Sequence, residues 1–145
     1  MREMYKAYVI NKLQRYMSVK DSNDKMLEDI EYLKTKLTNI TGSYGLKAGH
    51  TTSSPDGKTL NILSEIELKR ANYDDNSKLI EDVEFALDGL DPMSIDVVLH
   101  IYGTRSKDKR DLEAMESKYN YTQRNLYRKA NDALVHISYR MLGDC

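Results

Sequence analysis

The amino-acid sequence predicts an all-α fold, and three observations support this prediction. Apolar side chains recur at spacings of three and four residues over most of the chain, which is the period of an α-helix. The 145 residues include only two prolines, and proline is the residue that most strongly interrupts a helix. The hydrophobic fraction of 40% can supply a core, and the charged fraction of 31% suits exposed helix faces.

A helical hairpin or bundle is predicted for residues 1–90. A first helix is expected over about residues 3–17, and the polar stretch 20–23 then forms a break. Beyond this break the apolar residues follow at spacings of 4, 3, 4 and 3, which is a heptad seam that requires a partner helix. The seam consists of Met26, Ile30, Leu33, Leu37 and Ile40.

The partner of this seam is predicted to follow a flexible loop at 41–58, where Gly, Ser, Thr and Pro occur without periodicity. Loops of this length are usually functional or disordered. A second long helix is expected over about residues 59–90, although the polar stretch 72–77 leaves open a division into two shorter helices. Its seam consists of Ile62, Ile66, Tyr73, Ile80, Val83, Leu87 and Leu90. The remaining apolar surface suits a homo-oligomer and an intramolecular bundle equally well.

Residues 91–145 are predicted to form a C-terminal helix-turn-helix. Asp91 and Pro92 are typical of a helix start, with an N-cap followed by a proline at the first helical position. Gly103 ends that helix, a polar connector follows, and a short helix is expected over about residues 111–118. A tight turn at 119–121 then leads to the last helix.

The turn and the last helix carry strong local signals. Asn120 tolerates the left-handed backbone that such a turn requires, and Thr122 is a good N-cap. Tyr121 and Leu126 are placed for a hydrophobic staple. The last helix is expected from about residue 123 to 141, and Gly143 ends it.

The last helix has an apolar stripe and, opposite it, a basic and amide-rich face. The stripe is formed by Leu126, Ala130, Leu134 and Ile137. Side chains of the basic face can donate hydrogen bonds to phosphates and to base edges. The candidate DNA-binding residues are Gln123, Arg124, Asn125, Arg128 and Lys129, with Lys118, Asn120, Tyr121 and the capping Thr122 beside them.

Charge and composition restrict the class of protein. Residues 59–103 carry 3 Lys/Arg against 10 Asp/Glu, whereas residues 104–145 carry 9 against 6, so a basic C-terminal end follows an acidic middle. The chain has no apolar run long enough to span a membrane. Its only cysteine, Cys145, cannot form an intramolecular disulfide, which favours the cytoplasm.

Catalytic and metal-binding motifs are not expected. The stretch Gly57-Lys58-Thr59 resembles the end of a phosphate-binding loop, but Thr52 stands where that motif requires glycine. The three histidines are scattered and there is no Cys/His cluster for zinc. We therefore expect no enzyme, no cofactor and no metal site.

The segment Asn-Tyr-Thr-Gln-Arg-Asn-Leu-Tyr-Arg-Lys-Ala-Asn-Asp-Ala-Leu, residues 120–134, resembles the end of region 4 of sigma factors. There, Ser or Thr opens the recognition helix and an Ala-Leu pair closes it. The layout of the whole chain is similar to the small late-gene transcription activators of phages of Gram-positive bacteria, the RinA and ArpU type. Residues 54–59, Ser-Pro-Asp-Gly-Lys-Thr, fill the loop position of that family.

This resemblance implies sequence-specific binding of double-stranded DNA at a phage or prophage promoter, with recruitment of the host RNA polymerase in the bacterial cytoplasm. The alternative is a helical protein-interaction module. Its heptad seams would bind a repressor, the polymerase or another host protein without direct DNA recognition. The salt dependence of binding distinguishes DNA binding from protein interaction. Binding to phosphates weakens steeply with salt, whereas binding through an apolar helical interface should not.

Overall fold

The computed structural model describes residues 1–45, 57–104 and 109–145, and the elements in these ranges are helical. The prediction of an all-α fold is confirmed. No helix in the described ranges is long and apolar enough to cross a membrane. The helices are α1 (Glu3–Val19), α2 (Asn23–Gly45), α3 (Gly57–Leu87), α4 (Pro92–Val98), α5 (Lys109–Tyr119) and α6 (Gln123–Leu142), and a π-helical turn (Leu99–Gly103) follows α4.

The chain forms two compact units, one of residues 1–20 with 78–145 and one of residues 21–77. This grouping differs from the division that we predicted at residue 90. Residues 1–20 belong with the C-terminal helices because Val9 and Leu13 of α1 are fully buried in the same core as residues of α6. An apolar periodicity identifies which face of a helix is buried, but it does not identify the helix that covers that face.

Residues 21–77 form the helical pair that the heptad seams predict. Its buried core consists of Ile30, Leu33, Ile62 and Ile66. Polar contacts run in antiparallel order. Asn23 Nδ2 donates to Ser77 Oγ at 3.0 Å, and farther along, Lys69 Nζ lies 3.4 Å from Asp29 Oδ2. These contacts are consistent with the predicted hairpin.

The α3 helix continues through residues 72–77, so the alternative of two shorter helices is wrong. The polar side chains there do not break the helix, because some are exposed and Ser77 is bonded to Asn23. Near the end of α3 the predicted seam is confirmed at Val83 and Leu87, which are buried in the core. It differs at one position, because Leu79 is also buried there whereas Ile80 is only partly buried.

The predicted loop at 41–58 is wrong at both of its edges. The α2 helix continues to Gly45 and α3 begins at Gly57, while residues 46–56 lie outside the described residues. Helix propensity is a weak prior, and the hydrogen-bond ladder of a helix can extend across residues of low propensity.

The unit of residues 1–20 and 78–145 has a core shared by α1, the end of α3, α4, the π-helical turn and α6. Its central residues are Val9, Leu13, Val83, Ala86, Val98, Leu134 and Ile137. The π-helical turn lies close to α1, since a Cβ atom at Gly103 would lie 2.9 Å from Met17 Cγ. This close approach explains why glycine ends the turn, as predicted.

Side chains of α6 cap the end of α3. Arg140 donates to the Phe85 carbonyl at 3.0 Å, and His136 Nε2 lies 3.0 Å from the Asp88 carbonyl. The last carbonyls of a helix lack partners within the helix, so donors from a neighbour stabilise its end. These contacts fix α6 against α3 independently of the apolar core.

Candidate nucleic-acid interface

The turn between α5 and α6 has the geometry that the sequence predicts. Asn120 has a φ of 54°, the left-handed conformation expected for this position. Thr122 is the N-cap of α6, and its Oγ1 accepts from the Asn125 amide at 3.3 Å. Gly143 follows the helix with a φ of 76°. The local signals predicted for the start and the end of α6 are therefore confirmed.

The predicted hydrophobic staple differs from the observed packing. Tyr121 is 40% exposed, and Tyr119 is the tyrosine that packs against the cluster containing Leu126. The left-handed residue between the two tyrosines redirects the chain, which turns Tyr119 toward the core. Tyr121 remains available at the surface beside the start of α6.

The left-handed turn gives a first testable prediction. Replacing Asn120 by valine should lower the free energy of unfolding by about 1–2 kcal/mol, because a left-handed residue with a Cβ branch clashes with its own backbone. Replacing Asn120 by glycine should leave stability nearly unchanged, since glycine adopts this conformation freely. Urea unfolding followed by circular dichroism measures both. Equal stabilities of the two variants would contradict the assigned backbone geometry.

An apolar cluster fixes α5 against α4 and α6. It consists of the buried residues Val97, Met115, Leu126 and Ala130, with Met93, Ile101, Tyr102 and Tyr119 packed around it. Each of the three helices contributes to this cluster, so the angle between α5 and α6 depends on its packing. The arrangement is consistent with a helix-turn-helix in which α5 supports α6.

A polar network at Asp96 joins α4 to the end of α5. The Asp96 carboxylate accepts hydrogen bonds from the Tyr119 hydroxyl and, at 3.1 Å, from the Lys118 ammonium. Burial acts to raise the pKa of Asp96, but these hydrogen bonds, together with the charges of His100 and Lys118, hold the pKa below its usual value. The same contacts raise the pKa of Lys118 and of Tyr119.

This network predicts a pH-dependent contribution to stability. The lowered pKa of Asp96 means that its stabilisation is complete above the unfolded pKa, about 3.9, and is lost as the pH falls through the folded pKa. Asp96→Asn should therefore cost about 1–2 kcal/mol at neutral pH, as expected for hydrogen bonds to a charged group. The difference in the free energy of unfolding between this variant and the original protein should disappear near pH 2.

Urea unfolding between neutral pH and about pH 2 measures this difference in the free energy of unfolding. The matched control is Asp132→Asn. Asp132 is exposed on α6 and forms no ion pair within the part of the chain that the structure describes. A difference for Asp96→Asn that does not change with pH would contradict a role for the ionised carboxylate.

Opposite its buried stripe, α6 presents a polar surface that we call the α6 outer face. A shallow groove runs along it, lined by Arg124, Asn125, Tyr127, Arg128, Asn131 and Asp132. Arg124 and Arg128 are both exposed and lie one helical turn apart. Among the ion pairs of the described residues, neither guanidinium has a carboxylate partner. Both can therefore bind a ligand without first breaking an ion pair.

Two of the predicted basic contacts are already paired within the fold. Lys118 lies 3.1 Å from Asp96 and Lys129 lies 3.4 Å from Asp91. The side chain of Lys129 is also partly buried, with 29% of its surface exposed, whereas the Lys118 side chain is 63% exposed. Spacing along the sequence could not reveal these pairs, because their acidic partners are on α4 and at its N-cap.

The remaining predicted residues lie close together at the start of α6. Gln123 and Asn125 are exposed beside Arg124, and Asn120 and Thr122 are exposed in the turn. The outer face also includes Asn131, which the sequence places on the polar side of the last helix, and Tyr127 and Asp132, which our candidate set lacks. Tyr127 and Asp132 lie three and eight residues after Arg124, which are spacings of one helix side, so periodicity could have found them.

Comparisons of this chain with protein-family models, with curated proteins and with solved structures found no match. Within the described ranges, no group of three or more His, Cys, Asp or Glu residues could hold a metal ion.

Proposed function

We propose that this protein is a sequence-specific DNA-binding transcriptional regulator, with α6 as its recognition helix. One observation carries the proposal. Two exposed arginines, neither of them in an ion pair within the described residues, lie one turn apart at the start of a capped helix that follows a tight turn. An α-helix fits the major groove of B-form DNA, where long polar side chains reach base edges.

The side chains of the α6 outer face suit base recognition. The planar guanidinium groups of Arg124 and Arg128 can each donate two hydrogen bonds to a guanine, and Asn and Gln side chains can pair similarly with adenine. Asp132 contributes a carboxylate to the same face, and a carboxylate repels phosphates but can accept from cytosine. This mixture favours readout of bases over purely electrostatic attachment.

The turn and the bracing helix suit contact with the phosphate backbone. The first backbone amides of α6 have no partner within the helix and attract anions. Lys118 and Tyr121 lie near this end and are exposed. In our proposal these residues set the position of the protein on DNA, whereas Arg124 and Arg128 determine the sequence that it prefers.

We further propose that the target is a phage or prophage promoter in a bacterial cell and that the protein acts there with the host RNA polymerase. The support for this part is the resemblance of residues 120–134 to the end of sigma-factor region 4, and of the layout of the chain to the RinA and ArpU type of activator. The geometry of α6 supports DNA binding independently of this resemblance. The proposal of DNA binding can therefore hold even if the proposal of a phage promoter fails.

The test is selection of bound fragments from genomic DNA of the organism that encodes the protein, at near-physiological salt. We expect enrichment of one short site upstream of a gene cluster. The variant with Arg124→Ala and Arg128→Ala should enrich no site and serves as the negative control. A protein shown to be folded that enriches no site would overturn the proposal.

A second candidate function, a protein-interaction module, is favoured by exposed apolar residues in the unit of residues 21–77. Leu27, Tyr32, Leu60 and Leu68 have exposed fractions of 44%, 68%, 51% and 66%. Apolar side chains at the surface are common singly but also mark binding surfaces. Binding through them should persist at high salt, whereas DNA binding should weaken steeply.

A further inference from the structure

Tyr102 links three elements of one compact unit at the edge of the α6 outer face. It lies in the π-helical turn, and its hydroxyl donates a hydrogen bond to Asn131 Oδ1 of α6. The Nζ atom of Lys6, from α1, lies over the Tyr102 ring at 5.7 Å from its centre. A residue of α1 is thereby brought beside the helix that we propose reads DNA.

The hydrogen bond from Tyr102 determines what Asn131 can bind. A side-chain amide has an accepting oxygen and a nitrogen with two donors. The hydrogen bond from Tyr102 orients the exposed amide, and no hydrogen bond of the described residues engages its donating nitrogen. Burial raises the pKa of Tyr102, which keeps its hydroxyl protonated and donating. A fixed donor of this kind suits a phosphate oxygen, which only accepts.

Lys6 adds a positive charge to the same edge. Within the part of the chain that the structure describes, its ammonium has no carboxylate partner among the ion pairs. Its contact with the Tyr102 ring is a cation–π interaction, which holds a cation in place without neutralising it. Lys6 is therefore positioned and still able to bind an anion.

We infer that the DNA-binding surface extends from α6 onto α1, where Lys6 Nζ and Asn131 Nδ2 bind the phosphate backbone and Tyr102 is the residue that positions both. This inference rests on the proposed function. It places a phosphate contact on the N-terminal helix, outside the helix-turn-helix, and it assigns the π-helical turn the role of connecting the two.

The experiment measures fluorescence anisotropy of a labelled DNA duplex of mixed sequence with the full chain, as salt is varied between about 50 and 200 mM. Lys6→Met keeps the apolar stem and removes the charge. It should reduce the slope of log affinity against log salt by about 0.9, the amount expected for one lost phosphate contact. Lys12→Met is the matched control, because Lys12 is on the same helix with its Nζ 5.2 Å from the Tyr8 ring centre.

The positioning role of Tyr102 is tested with uncharged variants. Tyr102→Phe keeps the ring and Asn131→Ala removes the amide, and each should weaken binding by roughly fivefold, as one hydrogen bond predicts. Neither should change the salt slope, because no charge is removed. The double variant should be no weaker than either single one, since both changes remove the same interaction. Asn131 is exposed, so Asn131→Ala tests the contact even where Tyr102→Phe disturbs packing.

An unchanged slope for Lys6→Met, or an equal decrease for Lys12→Met, would overturn the phosphate contact on α1. If the double variant loses affinity by the product of the two single losses, Tyr102 and Asn131 act independently, and the positioning role of Tyr102 is overturned. If these occur while Arg124→Ala with Arg128→Ala still weakens binding to the DNA site selected from the genome, the proposed function stands and only this inference fails. If the original protein binds no duplex at any salt concentration, both fail.

Discussion

Replacing Arg124 and Arg128 together by alanine should weaken binding to the selected DNA site by at least about thirtyfold, because each bidentate arginine–guanine pair contributes about 1–3 kcal/mol. Titration of labelled site DNA at fixed salt measures the loss. The variant should also discriminate less between the selected site and unrelated DNA, because the lost contacts are those proposed to read bases.

The fold should survive this double substitution. Both arginines are exposed and neither forms an ion pair within the described ranges, and alanine is the best helix former. The matched control is Arg15→Ala with Arg70→Ala, which removes the same charge from exposed positions on α1 and α3. Binding within threefold of the original for the Arg124 and Arg128 variant, a difference below about 0.7 kcal/mol, would rule out α6 as the recognition helix.

Replacing Leu126 by alanine should lower the free energy of unfolding by about 2–5 kcal/mol, the range for a leucine truncated in a well-packed core. Leu126 is fully buried in the cluster that joins α4, α5 and α6. Its loss leaves a cavity beneath the first turns of α6. Urea unfolding monitored by circular dichroism measures the change.

The control for this substitution is Leu142→Ala on the same helix, where the leucine is 38% exposed. Its cost should stay below about 1 kcal/mol, because less apolar surface leaves the core. DNA binding should also weaken in Leu126→Ala under conditions where the variant is still folded, since α5 no longer holds α6 at a fixed angle. Equal costs for the two leucines would contradict the assigned core.

The sequence predicted the features that neighbouring residues decide. The helix start at Asp91 and Pro92, the left-handed turn at Asn120, the cap at Thr122 and the end at Gly143 all depend on residues within one turn. Backbone conformation and capping at such positions follow from the chemistry of a few side chains. The start of α6 could therefore be predicted almost residue by residue.

Features that depend on distant residues could not be predicted in this way. The partners of Lys118 and Lys129 are Asp96 and Asp91, and nothing in the local pattern connects them. The burial of α1 against α6 was missed for the same reason, because its apolar face fits any helix of suitable length. The contact of Tyr102 with Asn131 likewise required the fold before it could be seen.

The division of one compact unit between residues 1–20 and 78–145 has a consequence for how the protein is made. During translation α1 leaves the ribosome long before α6, and the helices of residues 21–77 can pair in the interval, since their contacts lie within one stretch of chain. The core around Val9 and Leu13 can close only when α6 has been synthesised. A nascent chain that stops before α6 therefore leaves the apolar face of α1 uncovered, and exposed apolar surface of this kind is what chaperones and proteases act on.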